Sequence, residues 1–129
     1  MAQTPVTFFA GSYETIDYTP GADVAAGDVV VINSVMLGIA PVAISDSVVG
    51  VLARRGGRWK GPKLQEAMTV GAPLYWDADG SPYGGTASSG ALATTNTLGL
   101  CIGRCTAAAA ETAEEVEFEF CQSDNDYDT

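Results

Sequence analysis

The cleanest alternation of apolar and polar positions lies near the C-terminus. In Glu115-Val116-Glu117-Phe118-Glu119-Phe120, a strand sends Val116, Phe118 and Phe120 to one face and three carboxylates to the other. A helix would scatter the same three apolar residues around its surface. Val29-Val30-Val31-Ile32 is a continuous β-branched run instead, the pattern of a strand covered on both faces. Shorter apolar segments recur at Val6-Thr7-Phe8-Phe9 and at residues 13–19, 36–40, 47–53, 70–76 and 98–104. Turn residues punctuate them at Pro20-Gly21, Gly27-Asp28, Asn33-Ser34 and Asp77-Ala78-Asp79-Gly80. Gly56-Gly57 predicts a hairpin turn that brings the chain back into Arg58-Trp59-Lys60.

One helical turn or two is expected at residues 64–68, just after Pro62. Residues 81–97 are rich in Gly, Ser, Thr and Ala and read as an exposed loop. Residues 107–113 read as the loop before the last strand, and no internal repeat is visible. The expectation is an all-β chain with a minor helix, folded as a compact small β-barrel or sandwich of about eight short strands. It divides into an N-terminal arm (1–12), a single β domain (13–120) and an acidic tail (121–129).

Composition supports one domain. The chain has 129 residues, 47% of them apolar, enough for a real core, and its 15 Gly and 6 Pro suit many turns. No apolar run approaches the roughly 18 residues that span a bilayer, so no membrane partner is expected. The first residues lack the basic start and apolar stretch of a signal peptide. The product is expected to stay in the cytoplasm where it is made unless it leaves within an assembly. Three cysteines in such a chain read as buried free thiols rather than a disulfide framework.

Charge changes the picture more. The net charge is −10, which argues against nucleic acid as a direct partner. Arg54, Arg55, Arg58, Lys60 and Lys63 fall close together, leaving Arg104 as the only other cation. From Glu111 to Asp128 every charged residue is acidic. One basic segment and one acidic end could pair head-to-tail between copies or dock on an acidic surface; ordinary solvated charge is the alternative.

Catalytic chemistry finds little to work with. There is no His, which removes Ser-His-Asp, Cys-His and His-based metal hydrolysis together. Asp77 and Asp79 before Gly80 are spaced for turn hydrogen bonds, and the further ligands of a calcium loop are missing. Gly56-Gly57-Arg58-Trp59-Lys60-Gly61 opens like a phosphate loop, but Pro62-Lys63 stands where Lys and Ser or Thr are needed. No catalytic residue, cofactor or metal is expected. Trp59 among its cations reads as an interface anchor in preference to a nucleic-acid stacking platform.

The order of segments resembles a family of small phage proteins associated with capsid decoration, or cement, some of which have carried a recombinase label. The resemblance runs from Tyr13 to Phe120. It rests on Gly27-Asp28-Val29-Val30-Val31, Gly38-Ile39-Ala40, Gly50-Val51-Leu52-Ala53 and a Gly-containing hairpin ending in Pro62-Lys63. Val70-Gly71-Ala72-Pro73-Leu74-Tyr75-Trp76-Asp77 and Leu98-Gly99-Leu100-Cys101-Ile102-Gly103 complete it. Arg58-Trp59 replaces the usual apolar pair of the hairpin, and the acidic tail extends beyond the family's last strand.

The resemblance implies a structural, non-enzymatic decoration protein on the outer surface of the expanded phage head. It would bind the major capsid protein, most simply as a homotrimer like decoration proteins of the lambda head type. Val6, Phe8 and Phe9 would form a capsid-contact arm that adds a strand to a neighbour, or else the first strand of the barrel itself. Arg54, Arg55, Arg58, Trp59 and Lys60 would face another subunit or the shell. The competing readings are another phage structural module, either a head–tail connector component or a host-surface adhesion domain, and a small enzyme or ligand-binding barrel.

Overall fold

In the computed structural model, which describes residues 3–121, the regular elements are strands and one short 3-10 turn at Asn96–Leu98. The strands are β1 (Thr7–Tyr18), β2 (Val29–Ile32), β3 (Met36–Ile39), β4 (Gly50–Pro62), β5 (Pro73–Asp77), β6 (Ala91–Ala93), β7 (Leu100–Ala107) and β8 (Glu115–Phe120). They form one antiparallel sheet in the order β2-β3-β4-β8-β7-β5-β6, with β1 also on β4. A parallel bridge from Lys63 to Leu92 ties β6 back to the end of β4. The sheet therefore curls into a half-barrel, in agreement with the all-β expectation.

The inside of the curl is filled by Trp59, Leu74, Leu92, Ile102, Phe118 and Phe120 among others. A second cluster, built on Ala40, Ile44 and Leu52, gathers Ile16, Tyr18, Val24, Val30 and Ile32. The β2–β3 hairpin lies between the two clusters, with Val29 in the first and Val30 and Ile32 against the second, but Val31 is 42% exposed, so β2 is covered on both faces only in part. β8 matches its alternation, with Val116, Phe118 and Phe120 buried.

Four local expectations are corrected. Gly56-Gly57 does not turn the chain; β4 runs straight through it. Both glycines have positive φ (101° and 80°), and β1 shifts register at the same level, where Gly11 has φ 90°. The two strands bulge together, so pairing resumes on either side. No helix forms at residues 64–68. Met68 exchanges backbone hydrogen bonds with Ala109, and the Glu66 carboxylate accepts from the Thr94 N–H (3.1 Å) and hydroxyl (2.7 Å). The expected loop at 81–97 contains β6, whose three apolar residues are fully buried. The fourth concerns repeats.

The chain contains the same backbone plan twice. Val24 and Ile44 exchange two hydrogen bonds, as do Met68 and Ala109. Gly27 and Ala40 are linked as Gly71 and Cys105 are: Gly27 N–H donates to Ala40 O, and Gly71 N–H to Cys105 O. The return bonds, Ala40 N–H to Asp28 O and Cys105 N–H to Ala72 O, also correspond. Gly27 and Gly71 even share their dihedral, with φ 88° and 89°. Val29 and Val30 pair with Ile39 and Gly38 as Pro73 and Leu74 pair with Arg104 and Gly103. β2, β3 and β4 thus correspond to β5, β7 and β8. The second half has an insertion between β5 and β7 that carries β6 and the 3-10 turn. Apart from the glycines, few residues match between the halves, so sequence hid the duplication.

β1 begins at Thr7, within the segment expected to be an arm, and pairs with β4 along its length. Before it, Val6 is buried and its N–H donates to Gly27 O at 2.9 Å. Residues 3–12 lie against the body of the domain.

Candidate docking faces

The β4–β8 pairing decides what the basic segment does. Opposite residues in an antiparallel pair share a face. Arg58 stands opposite Glu119 and Lys60 opposite Glu117, while Trp59 and Phe118 meet on the inner side. Arg104 of β7 lies opposite Glu119 from the other flank. Part of the charge segregated along the chain is thus interleaved in space, with one ion pair, Arg58–Glu117, formed across β4 and β8 among the described residues. The Arg58–Glu117 contact is 3.4 Å, and Glu117 also accepts from the Thr106 hydroxyl at 2.7 Å. Arg58 is half exposed, so that ion pair contributes little to stability.

Trp59 is not a surface anchor. It is 1% exposed and its indole N–H donates to Gly56 O at 2.9 Å. It gathers Phe8, Tyr13 and Phe120 in edge and tilted contacts with centroids 5.1, 5.2 and 6.4 Å away. Phe8 packs its ring against Trp59 and Tyr13 yet stays 40% exposed, beside a hollow of about 320 Å³ lined by Pro5, Val6, Tyr13 and Trp59. Phe9 faces the other way and is 48% exposed. The Lys60 ammonium lies 4.6 Å and the Arg58 guanidinium 5.2 Å from its ring centroid. Phe9, Arg58 and Lys60 form one exposed apolar and cationic spot on an acidic protein.

The rest of the basic segment separates. Arg55 is exposed opposite Glu14 of β1. Arg54 is partly buried, and its Nη1 is out of solvent with no hydrogen-bond partner among the described residues. Lys63 is internal. Its ammonium donates to Ala110 O (2.9 Å), Glu111 O (3.3 Å) and Ala113 O (3.4 Å), which pins the loop before β8. Burial lowers its pKa, against the opposing pull of Glu66 and Glu111. Its burial was not legible from a run of cations.

Two sheet edges stay open among the described residues. β1 has β4 on one side only, and β2 has only β3. The acidic tail begins at Cys121, and its remaining residues, 122–129, lie outside the described ones.

A family model for phage cement proteins matches residues 10–120. The chain belongs to the phage cement protein family. No curated protein and no solved structure matches it. The cement family is structural and its members bind the capsid shell, so this chain has a capsid cement role. The match begins after Phe9 and ends at Phe120. Val6, Phe8, Phe9 and the acidic tail lie outside the matched residues.

Proposed function

We propose that this cement protein docks on the outer surface of the expanded head as a homotrimer and braces the shell against internal pressure. The observation that carries the reading, beyond family membership, is the open edge of β1 with Phe9, Arg58 and Lys60 beside it. An extended segment of the major capsid protein added to that edge would gain backbone hydrogen bonds. Phe9 and the partly exposed Phe8 would supply the apolar contact, and the buried Val6 would anchor the strand from inside. Arg54 and Arg55 would meet carboxylates of a neighbouring subunit or of the shell. A protein that binds only the expanded lattice stabilises it by mass action, and three linked contacts per trimer multiply weak individual affinities.

A reconstruction of intact heads tests this reading. It should show trimers outside the shell at threefold and quasi-threefold positions, in hundreds of copies. About a dozen copies at one vertex would make the protein a connector component instead. A companion variant, Phe9→Ser, should leave the fold intact and weaken docking roughly tenfold. Undiminished docking would remove the β1 edge from the contact.

A further inference from the structure

The duplicated halves differ at one edge. β5 carries β6 on its outer side, with Tyr75, Trp76 and Asp77 opposite Ala93, Leu92 and Ala91. β2, the counterpart of β5, has no strand there among the described residues. Counting from the matched residues Val29 and Pro73, Val31 occupies the position of Tyr75.

The β2 edge is already used as a ladder at its first rung. Val29 N–H donates to Gln3 Oε1 at 2.8 Å, and Gln3 Nε2 donates to Val29 O at 2.9 Å. A carboxamide carries the donor and acceptor of a peptide group, so Gln3 imitates one residue of an added strand. Backbone groups alternate along a strand, so Val31 turns its N–H and C=O to the same edge. No described strand lies opposite that rung.

An apolar groove of about 220 Å³ lies beside it, lined by Val31, Leu37, Trp76, Leu98 and Leu100. Val31 is 42% and Leu98 43% exposed. Val31 and Leu37 are cross-strand partners on one face. Every second side chain of a strand added to β2 would point to that face and into the groove. Asp77 and Asp79 stand at the rim.

We propose that the β2 edge at Val31 accepts a short extended segment of the shell subunit, antiparallel to β2. The segment is uncharged and apolar over two or three residues, as Ala91-Leu92-Ala93 is on β5, and is flanked by a basic residue that meets Asp77 and Asp79. A second copy of this chain is the weaker occupant, because each copy carries −10 and the rim is acidic. The inference rests on the cement reading and adds a second contact, distinct from the β1 edge.

The test uses Val31→Pro, which removes the outward N–H without touching the bonds to β3; proline is tolerated on edge strands. The probe is expanded heads lacking this protein. Val31→Pro should melt within roughly 3 °C of wild type and bind heads about tenfold more weakly or worse. Val31→Lys, which blunts an edge with charge, should do the same and serves if the proline variant does not fold. A photo-crosslinking residue at position 31 should capture an extended segment of the shell subunit. Wild-type binding by both variants, or crosslinks only to another copy of this chain, would overturn the edge proposal while leaving the cement reading intact. Failure of the wild type itself to bind heads would overturn both.

Discussion

Lys63→Met removes an ammonium that is fully buried and holds three carbonyls of the loop before β8. The shortest bond, 2.9 Å to Ala110 O, is charge-assisted and contributes about 1.5–3 kcal/mol. The bonds at 3.3 and 3.4 Å add less. Relief of the desolvated charge offsets part of the loss, while methionine keeps the aliphatic volume. A net loss of about 2 kcal/mol follows, which lowers the melting temperature by about 8 °C for a domain of this size. Circular-dichroism melts measure it, and amide exchange should quicken first at residues 108–114. The pH dependence carries its own sign. Below the lowered pKa of Lys63 the folded and unfolded chains both carry the proton, and its contribution is constant. Between that value and 10.5 the unfolded chain holds more proton, so this group makes stability rise with pH. Lys63→Met should lack that rise. A melt within about 2 °C of wild type, with unchanged exchange in the loop, would refute the pinning role.

Two further predictions concern the body of the domain. Gly27→Ala and Gly71→Ala both force a side chain onto a positive φ, but only at Gly27 does the new Cβ strike another segment, 2.7 Å from Pro5 Cβ and 2.9 Å from Val6 O. Gly71→Ala should cost about 1 kcal/mol of strain and Gly27→Ala clearly more in chemical denaturation; equal losses would mean that residues 5 and 6 do not pack there. Iodoacetamide should label Cys121, which is exposed, and spare Cys101 and Cys105, which are buried, until the protein unfolds. Burial also pushes the Cys105 thiol pKa up, which slows its reaction further. Rapid native labelling of all three thiols would contradict the packing around β7.

How much of this was legible in sequence depended on whether a residue's neighbours were local. β8 announces itself because its alternation needs only its own residues, and β2 because Val29 packs into one cluster and Val30 and Ile32 into the other. Gly56-Gly57 misled because a glycine pair looks the same in a turn and in a bulge. Only the partner strand, shifting at Gly11, separates the two. β6 was invisible because Ala91-Leu92-Ala93 is too short to carry much hydrophobic signal, and the glycine before it answers to a ring distant in sequence: a Cβ on Gly90 would stand 2.5 Å from Trp76. In sequence the basic segment reads as one unit. Pairing with β8 and β1 splits it into an outer spot at Arg58 and Lys60, a core Trp59 and an internal Lys63. The duplication rests on backbone hydrogen bonds that many residue types satisfy, so it leaves almost no trace beyond Gly27, Gly71, Gly38 and Gly103.

The central claim is that the protein braces an expanded shell by binding it. Heads lacking the protein, mixed with increasing amounts of it, should release their genome at progressively higher temperature until the sites are full, and unexpanded heads should bind none. Release at the same temperature with and without saturating protein would contradict the account.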